Sequence, residues 1–206
     1  MNSCLAVALS VLLVTGCSAI KHNVALSEPT DGAKARVRIA MPKYGNGRNV
    51  VAYPNSACAG NNVPGKGRVL SNYVIGFEET LNNKKIGMAK TAISMNESFI
   101  KSEVYVPAGG PLTLRTFKVR SESVSAPTSI AGTSLSYVTT TRHGDGCGSV
   151  FTFVADEGGD YEVVVGGDMV SCSVSVSKII ENGIESYLEP VQFVQSATCL
   201  KKERLY

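Results

Sequence analysis

The residues best suited to acid–base chemistry lie close together in the second half of the chain. One glycine separates His143 from Asp145, and Ser149 follows a few positions later. A hydrolase triad needs such a base, carboxylate and nucleophile, held in place by a rigid scaffold. Here the base and the acid lie in a Gly-rich segment, and no G-x-S-x-G elbow occurs in the chain. We therefore expect a solvated turn with no catalytic residues, and an envelope hydrolase stays open as an alternative.

Metal binding is the next chemistry to consider. Four acidic residues lie in or near predicted turns: Asp145, Asp156, Glu157 and Asp160. Their spacing lacks the D-x-[DN]-x-[DN]-G-x5-E pattern of a calcium loop. The two histidines, His22 and His143, are far apart, and no two cysteines have the C-x-x-C spacing of a zinc site. The sequence predicts neither a metal nor a cofactor.

The N-terminal segment ends at a cysteine that could be modified. Leu5 to Val14 form an apolar run, which is shorter than the roughly twenty residues that a membrane-spanning helix needs. The following Val14-Thr15-Gly16-Cys17 resembles the lipobox of bacterial lipoproteins, in which the thiol takes a diacylglycerol and the freed amine a further acyl chain, typically palmitate. This resemblance implies a signal peptide at residues 1–16 and membrane attachment through Cys17. An ordinary secretory signal cleaved near Gly16 or Ala19 is the open alternative.

The mature chain divides into a tether and one domain. Residues 17–34 are predicted to be the lipidated cysteine and a tether, because the stretch is polar and contains Pro29 and Gly32. Residues 35–206 are long enough for a single domain with its own core. Ser18 after the modified cysteine implies, by the same resemblance, an outer-membrane location facing the periplasm or the cell surface. The formal charge of +3 is small and its lysines and arginines are scattered, which argues against a nucleic-acid partner.

Four cysteines remain once Cys4 leaves with the signal and Cys17 carries lipid. They are Cys58, Cys147, Cys172 and Cys199. An even number in an exported protein indicates two disulfides, for which three pairings are possible. Two β-runs, 149–154 and 161–165, lie between the second and third of these cysteines. We favour the pairs Cys147–Cys172 and Cys58–Cys199, since those runs could be neighbours in one sheet.

The apolar pattern predicts an all-β fold with low helix content. Residues 35–41 and 112–119 alternate polar and apolar side chains, and seven to nine short strands with Gly/Pro turns indicate a β-sandwich. We expect one hairpin from 35–41 and 50–53, and a second from 147–154 and 161–165 that continues into 170–176. Residues 120–134 should form an excursion.

Two turn signals carry specific expectations. Pro107 should end a strand, and Gly109-Gly110 should allow the positive φ of a tight turn. Tyr161 should pack its ring at the start of a strand while its hydroxyl reaches backbone.

Several strand blocks are similar to those of a family of uncharacterised proteobacterial outer-membrane lipoproteins. The blocks are Glu103-Val104-Tyr105-Val106-Pro107-Ala108-Gly109-Gly110-Pro111-Leu112, Gly158-Gly159-Asp160-Tyr161-Glu162-Val163, Val51-Ala52-Tyr53-Pro54 and Glu189-Pro190-Val191-Gln192-Phe193. The resemblance implies a transthyretin-like or immunoglobulin-like sandwich, and it supplies no catalytic residues. It implies a non-catalytic, lipid-anchored envelope protein with a structural or protein-interaction role. A periplasmic adaptor like the transthyretin-like lipoprotein of type VI secretion systems is the alternative.

Overall fold

A computed structural model describes residues 24–43, 48–72, 80–118, 120–130, 133–143, 148–167, 172–183 and 185–199. For residues 118, 120–130, 133–143 and 172 it describes the backbone alone. The strands are β1 Lys34–Pro42, β2 Arg48–Tyr53, β3 Gly67–Ser71, β4 Phe99–Pro107, β5 Pro111–Lys118, β6 Arg120–Ile130, β7 Thr133–His143, β8 Ser149–Val154, β9 Asp160–Gly167, β10 Cys172–Asn182, β11 Glu185–Pro190 and β12 Val194–Gln195. A single-turn helix, α1 Ala92–Met95, precedes β4.

Ten of these strands form two five-stranded sheets. Sheet I has the order β11-β10-β9-β1-β4, and sheet II has the order β12-β8-β5-β2-β3. Neighbouring strands are antiparallel except β1 and β9, which run parallel. The predicted all-β sandwich is confirmed.

The core lies between the two sheets and follows from alternation along the strands. On β1, Val37, Ile39 and Met41 are at most 1% exposed and belong to one apolar cluster with Leu114 and Phe151 of sheet II. Because successive side chains of a strand point to opposite faces, the intervening Arg36 and Arg38 lie on the outer face of sheet I. The apolar half of the pattern therefore builds the sandwich, and the charged half faces away from it.

A third layer covers part of that outer face. Residues 80–98, including α1, follow the free edge of β4, where the Asn83 amide donates to the Lys101 carbonyl at 2.8 Å and the Glu103 amide donates to the Lys84 carbonyl at 3.0 Å. Farther along, the Lys90 carbonyl accepts from the hydroxyl of Ser186 on β11 at 2.5 Å. The segment thus spans sheet I from one edge strand to the other. This cover explains why charged residues on the outer face of β1, β4 and β9 are buried.

Two predicted hairpins are wrong, because the two strands of each lie in different sheets. Residues 35–41 form β1 in sheet I, whereas 50–53 belong to β2 in sheet II. Likewise β8 lies in sheet II and β9 in sheet I, and residues 155–159 carry the chain from one sheet to the other. The apolar faces of both strands meet in the same core, so the alternating pattern fits a crossing connection as well as a hairpin. The predicted continuation is confirmed, because β9 pairs antiparallel with β10.

The strand count also exceeds the expected seven to nine. Residues 120–134, predicted to be an excursion, contribute all of β6, which pairs with β7 from Arg120↔His143 to Ile130↔Thr133. This two-stranded ribbon forms a sheet of its own. The expected end of a strand at Pro107 and the positive φ at Gly109, 77°, are both confirmed.

Candidate functional site

A row of three charged side chains lies beneath the cover segment, residues 80–98. The register of sheet I sets Glu103 of β4 and Glu162 of β9 directly opposite Arg38 of β1. Arg38 is 1% exposed, and its guanidinium donates to Glu103 Oε1 at 2.8 and 3.1 Å and to Glu162 Oε2 at 3.1 Å. It also donates to the Ala89 carbonyl at 2.7 Å. One buried cation is therefore held by two carboxylates and by the cover segment.

Glu103 binds the cover segment through its other oxygen. Oε2 accepts hydrogen bonds from three consecutive backbone amides, those of Ile86, Gly87 and Met88, at 2.8, 3.1 and 3.2 Å. Burial acts to raise the pKa of Glu103, but the amides and the Arg38 guanidinium together outweigh it, so this pKa lies below its ordinary value. The ionised carboxylate thus fixes the backbone of the cover segment onto sheet I.

Glu162 completes the row and reaches the helix cap. Its Oε2 accepts from the Thr91 hydroxyl at 2.5 Å, and that hydroxyl in turn accepts from the Ser94 amide at 3.1 Å as the N-cap of α1. Its Oε1 is buried without a hydrogen-bond partner. Two carboxylates around one guanidinium leave the row with a net formal charge of −1. Since all three side chains are nearly inaccessible, the row is suited to holding the third layer rather than to meeting a substrate.

Two of the four turn acids that were considered as calcium ligands, Asp156 and Asp160, form ion pairs. Asp160 accepts from Arg36 at 2.6 Å through each of its two oxygens. Asp156 Oδ2 accepts from Lys178 at 2.7 Å and from the Tyr161 hydroxyl at 3.0 Å. Among the residues that the structure describes, no three His, Cys, Asp or Glu side chains are grouped to hold a metal ion.

The expectation for Tyr161 is confirmed. Its ring is 2% exposed and packs on Phe153 with 5.6 Å between centroids, while its hydroxyl accepts from the Asp156 amide at 2.9 Å. Burial, the largest influence, raises the pKa of this phenol.

The structure does not bring the hydrolase candidates into a described site. His143 ends β7, where only the backbone is described, and Asp145 lies outside the described residues. Ser149 begins β8, and its amide donates to the Thr116 hydroxyl at 3.2 Å. The absence of catalytic residues stays a prediction.

One of the two predicted disulfides is present. Cys58 and Cys199 are joined, with 5.1 Å between their Cα atoms and 141 residues between them in sequence. Cys17 and Cys147 lie outside the described residues, and only the backbone of Cys172 is described. The argument for Cys147–Cys172 assumed that β8 and β9 share a sheet, which is wrong, so this pairing stays a prediction without that support.

The lateral edge formed by β3 and β4 is closed by residues 24–28, which had been assigned to the tether. The Leu26 amide donates to the Arg68 carbonyl at 3.0 Å, and the Arg68 amide donates to the Val24 carbonyl at 2.9 Å, so this segment adds to the edge of β3. Glu28 accepts from the Tyr105 amide on the edge of β4 at 3.2 Å and pairs with Lys84. Backbone groups that would otherwise template another strand are thereby occupied.

The opposite lateral edge, formed by β11 and β12, is open within the described ranges. No described strand pairs with the outer side of β11. Several apolar side chains at or beside this edge are 39–65% exposed: Val154, Tyr187, Leu188, Phe193 and Val194. We call this surface the open edge. Sequence reasoning had assigned no strand to 185–190, so it missed Tyr187 and Leu188. The adjacent apolar residues Tyr187 and Leu188 were the signal in the sequence that could have indicated a strand there.

Two further observations complete the description of the chain. No helix in the described ranges has the length and hydropathy needed to cross a bilayer. Neither a protein-family model nor a curated protein matches the chain.

Proposed function

We propose that this chain is a non-catalytic, lipid-anchored protein of the bacterial cell envelope that binds a protein partner through the open edge. The observation that carries this proposal is the contrast between the two lateral edges of the sandwich. One is closed by residues 24–28, and the other exposes apolar side chains beside a strand edge with which no described strand pairs. An exposed strand edge is a common docking element for an extended segment of another protein.

The position of the two edges suits a tethered molecule. The chain enters the domain at Val24, next to β3, and β11 and β12 lie at the far ends of the two sheets. A lipid on Cys17 would hold the β3 side toward the membrane. The open edge would then face away from the bilayer, where a partner can reach it.

The chemistry of β11 specifies the partner strand. Tyr187 and Leu188, 56% and 41% exposed, offer apolar contacts on the two faces of the strand. Glu185 and Glu189 are exposed on either side of them. Since opposite charges across a strand pair are favourable, we expect an extended segment with apolar residues at its centre and basic residues beside them.

The charged groups of the described residues support a role without catalysis. The guanidinium of Arg38 and the carboxylates of Glu103 and Glu162 are enclosed in structural contacts. Asp156 and Asp160 are paired with lysine and arginine. The Cys58–Cys199 disulfide agrees with export to an oxidising compartment.

Mass spectrometry of the mature protein tests the anchor. We expect an N-terminus at Cys17 that carries a diacylglycerol and an amide-linked acyl chain. A mature chain that starts at another residue, or an unmodified Cys17, would refute the anchoring half of the proposal.

Site-specific photo-crosslinking in intact cells tests the open edge. A photoreactive residue at Leu188 should give a discrete crosslinked protein, and Leu188→Asp should weaken the capture of that protein by an otherwise unchanged chain. Met95 on α1 is a matched control, because it is 65% exposed but lies away from the open edge. Equal crosslinking from both positions, or none from position 188, would contradict the proposal.

A further inference from the structure

A cavity of about 390 Å³ lies on the outer face of sheet II, on the opposite side of the molecule from the charged row of Arg38. Its lining includes three cationic side chains, those of Lys66, Arg68 and Arg115. None of the described residues that line it is an aspartate or a glutamate. The described part of the lining therefore carries a formal charge of +3 and no carboxylate.

A β-bulge directs one of these cations into the cavity. Val50 of β2 pairs with Leu70 and Val51 pairs with Arg68, so Val69 is an extra residue in β3. Without the bulge, residues 68 and 70 would point to the same face of the sheet. The extra residue lets Leu70 stay in the core while Arg68 lies on the outer face, opposite Val51. Arg115 of β5 pairs with Val51 from the other side, so the two arginines flank Val51 in one row.

The other two cations have only weak or non-ionic contacts among the described residues. Lys66 Nζ lies 3.4 Å from Asn61 Oδ1, and burial lowers the pKa of this lysine. The guanidinium of Arg115 lies 5.4 Å from the centroid of the Phe117 ring, over its face. Lys66 is partly buried and Arg115 is exposed, and both line the same cavity. Cations that converge on one cavity favour an anion there, because charge-assisted hydrogen bonds to phosphate are stronger than those between neutral groups.

We infer that this cavity binds a phosphate group, held by Lys66 and Arg115 with Arg68 between them. Val24, Ala25 and Ser27 also line the cavity, which places it beside the point where the chain enters the domain. Val24 follows Cys17 by seven positions, and a fully extended chain spans at most about 24 Å over seven residue steps. If Cys17 is acylated, as proposed above, the phosphate of a membrane lipid is within reach. That assignment rests on the proposed function, whereas phosphate binding itself does not.

Binding of inorganic pyrophosphate to the full mature chain in detergent tests the site, with calorimetry as the measurement. We expect the double variant Lys66→Gln/Arg115→Gln to weaken binding by about tenfold or more, which corresponds to about 1.4 kcal/mol. The matched control is Lys43→Gln/Lys85→Gln, which removes the same charge from a second cavity of about 440 Å³, whose described lining combines five cationic side chains with the carboxylates of Glu97 and Glu103. The control should change the affinity less than about twofold.

Several outcomes would overturn the inference. They are the absence of pyrophosphate binding by the wild type, an equal loss in both double variants, and a loss confined to the control.

Thermal unfolding in mixed micelles then separates the two sources of phosphate. Stabilisation by phosphatidylglycerol but not by phosphatidylcholine, lost in Lys66→Gln/Arg115→Gln, identifies a lipid headgroup. Stabilisation by pyrophosphate alone identifies a soluble ligand. If the protein purified from cells binds pyrophosphate but its Cys17 is unmodified, the phosphate site is supported and the anchor is refuted.

Discussion

Replacing Arg38 with methionine should destabilise the domain more than any other single charge removal on sheet I. Methionine preserves much of the volume of the side chain, so the change isolates the guanidinium. Glu103 and Glu162 are 8% and 1% exposed and lie on the two strands that flank β1. In the variant, no cation would lie between these two carboxylates. Removing one partner of a buried ion pair costs about 3–5 kcal/mol, because the remaining charge is left desolvated.

The effect should be large in a thermal melt and should depend on pH. For a domain of this size, about 1 kcal/mol corresponds to roughly 2–4 °C, so we expect the Tm of Arg38→Met to fall by about 10 °C near neutral pH. In the wild type the pKa of Glu103 is lowered, so its stabilising contribution is present above its ordinary pKa and is lost as pH falls through the folded-state pKa. In the variant, the guanidinium no longer offsets the burial of Glu103, so the pKa of Glu103 rises and its protonation relieves part of the cost. The difference between variant and wild type should therefore shrink on acidification.

Urea unfolding at about pH 7.5 and about pH 5 measures both effects. The control is Arg36→Met on the same strand. Arg36 forms an ion pair with Asp160 that is partly open to water, since the Arg36 side chain is 33% exposed. This control should lower the free energy of unfolding by less than half as much as Arg38→Met. Adding Glu162→Gln to Arg38→Met should restore part of the stability, since it removes one uncompensated charge. A loss below about 1 kcal/mol, or a loss that is the same at both pH values, would refute this account of the row.

Three further predictions concern the scaffold. Cys58→Ser/Cys199→Ser opens a loop of 141 residues, and the chain-entropy model gives a loss of about 5 kcal/mol in urea unfolding; an unchanged midpoint would show that loop closure contributes little. In Gly67→Ala the new Cβ would lie 2.3 Å from a backbone nitrogen of the N-terminal segment, so we expect residues 24–28 to leave β3 and to be cut faster in limited proteolysis, and an unchanged cleavage pattern would contradict this. Tyr161→Phe removes the phenol whose pKa burial raises, so ultraviolet titration should lose a component that titrates above the ordinary tyrosine pKa, with about 1 kcal/mol less stability; a titration curve that keeps this component would count against the assignment.

Much of the sandwich was readable from alternation along the chain. The period of two in residues 35–41 placed Val37, Ile39 and Met41 on one face, and the structure puts them in the core. Pro107 and Gly109 marked a strand end and a turn for reasons local to those residues. The four cysteines that follow Cys17 indicated disulfides, and the pair Cys58–Cys199 is present.

Pairing between distant strands was not readable from the same signals. A strand with one apolar face meets the core equally well from either sheet, so β8 and β9 could be neighbours or lie opposite each other. Arg38, Glu103 and Glu162 were visible as charges within strands, yet their meeting depends on β1 lying between β4 and β9. Nothing local to any of the three specifies that order.

The sequence by itself determined which segments are extended and which side chains avoid water, because both depend on residues close together in the chain. Only the tertiary structure decided which charges meet, which edge is closed by residues 24–28, and which edge stays open. These depend on strand order, the bulge at Val69 and the path of residues 80–98 across sheet I. Such long-range choices are set by the packing of the whole core, which no single stretch of sequence contains.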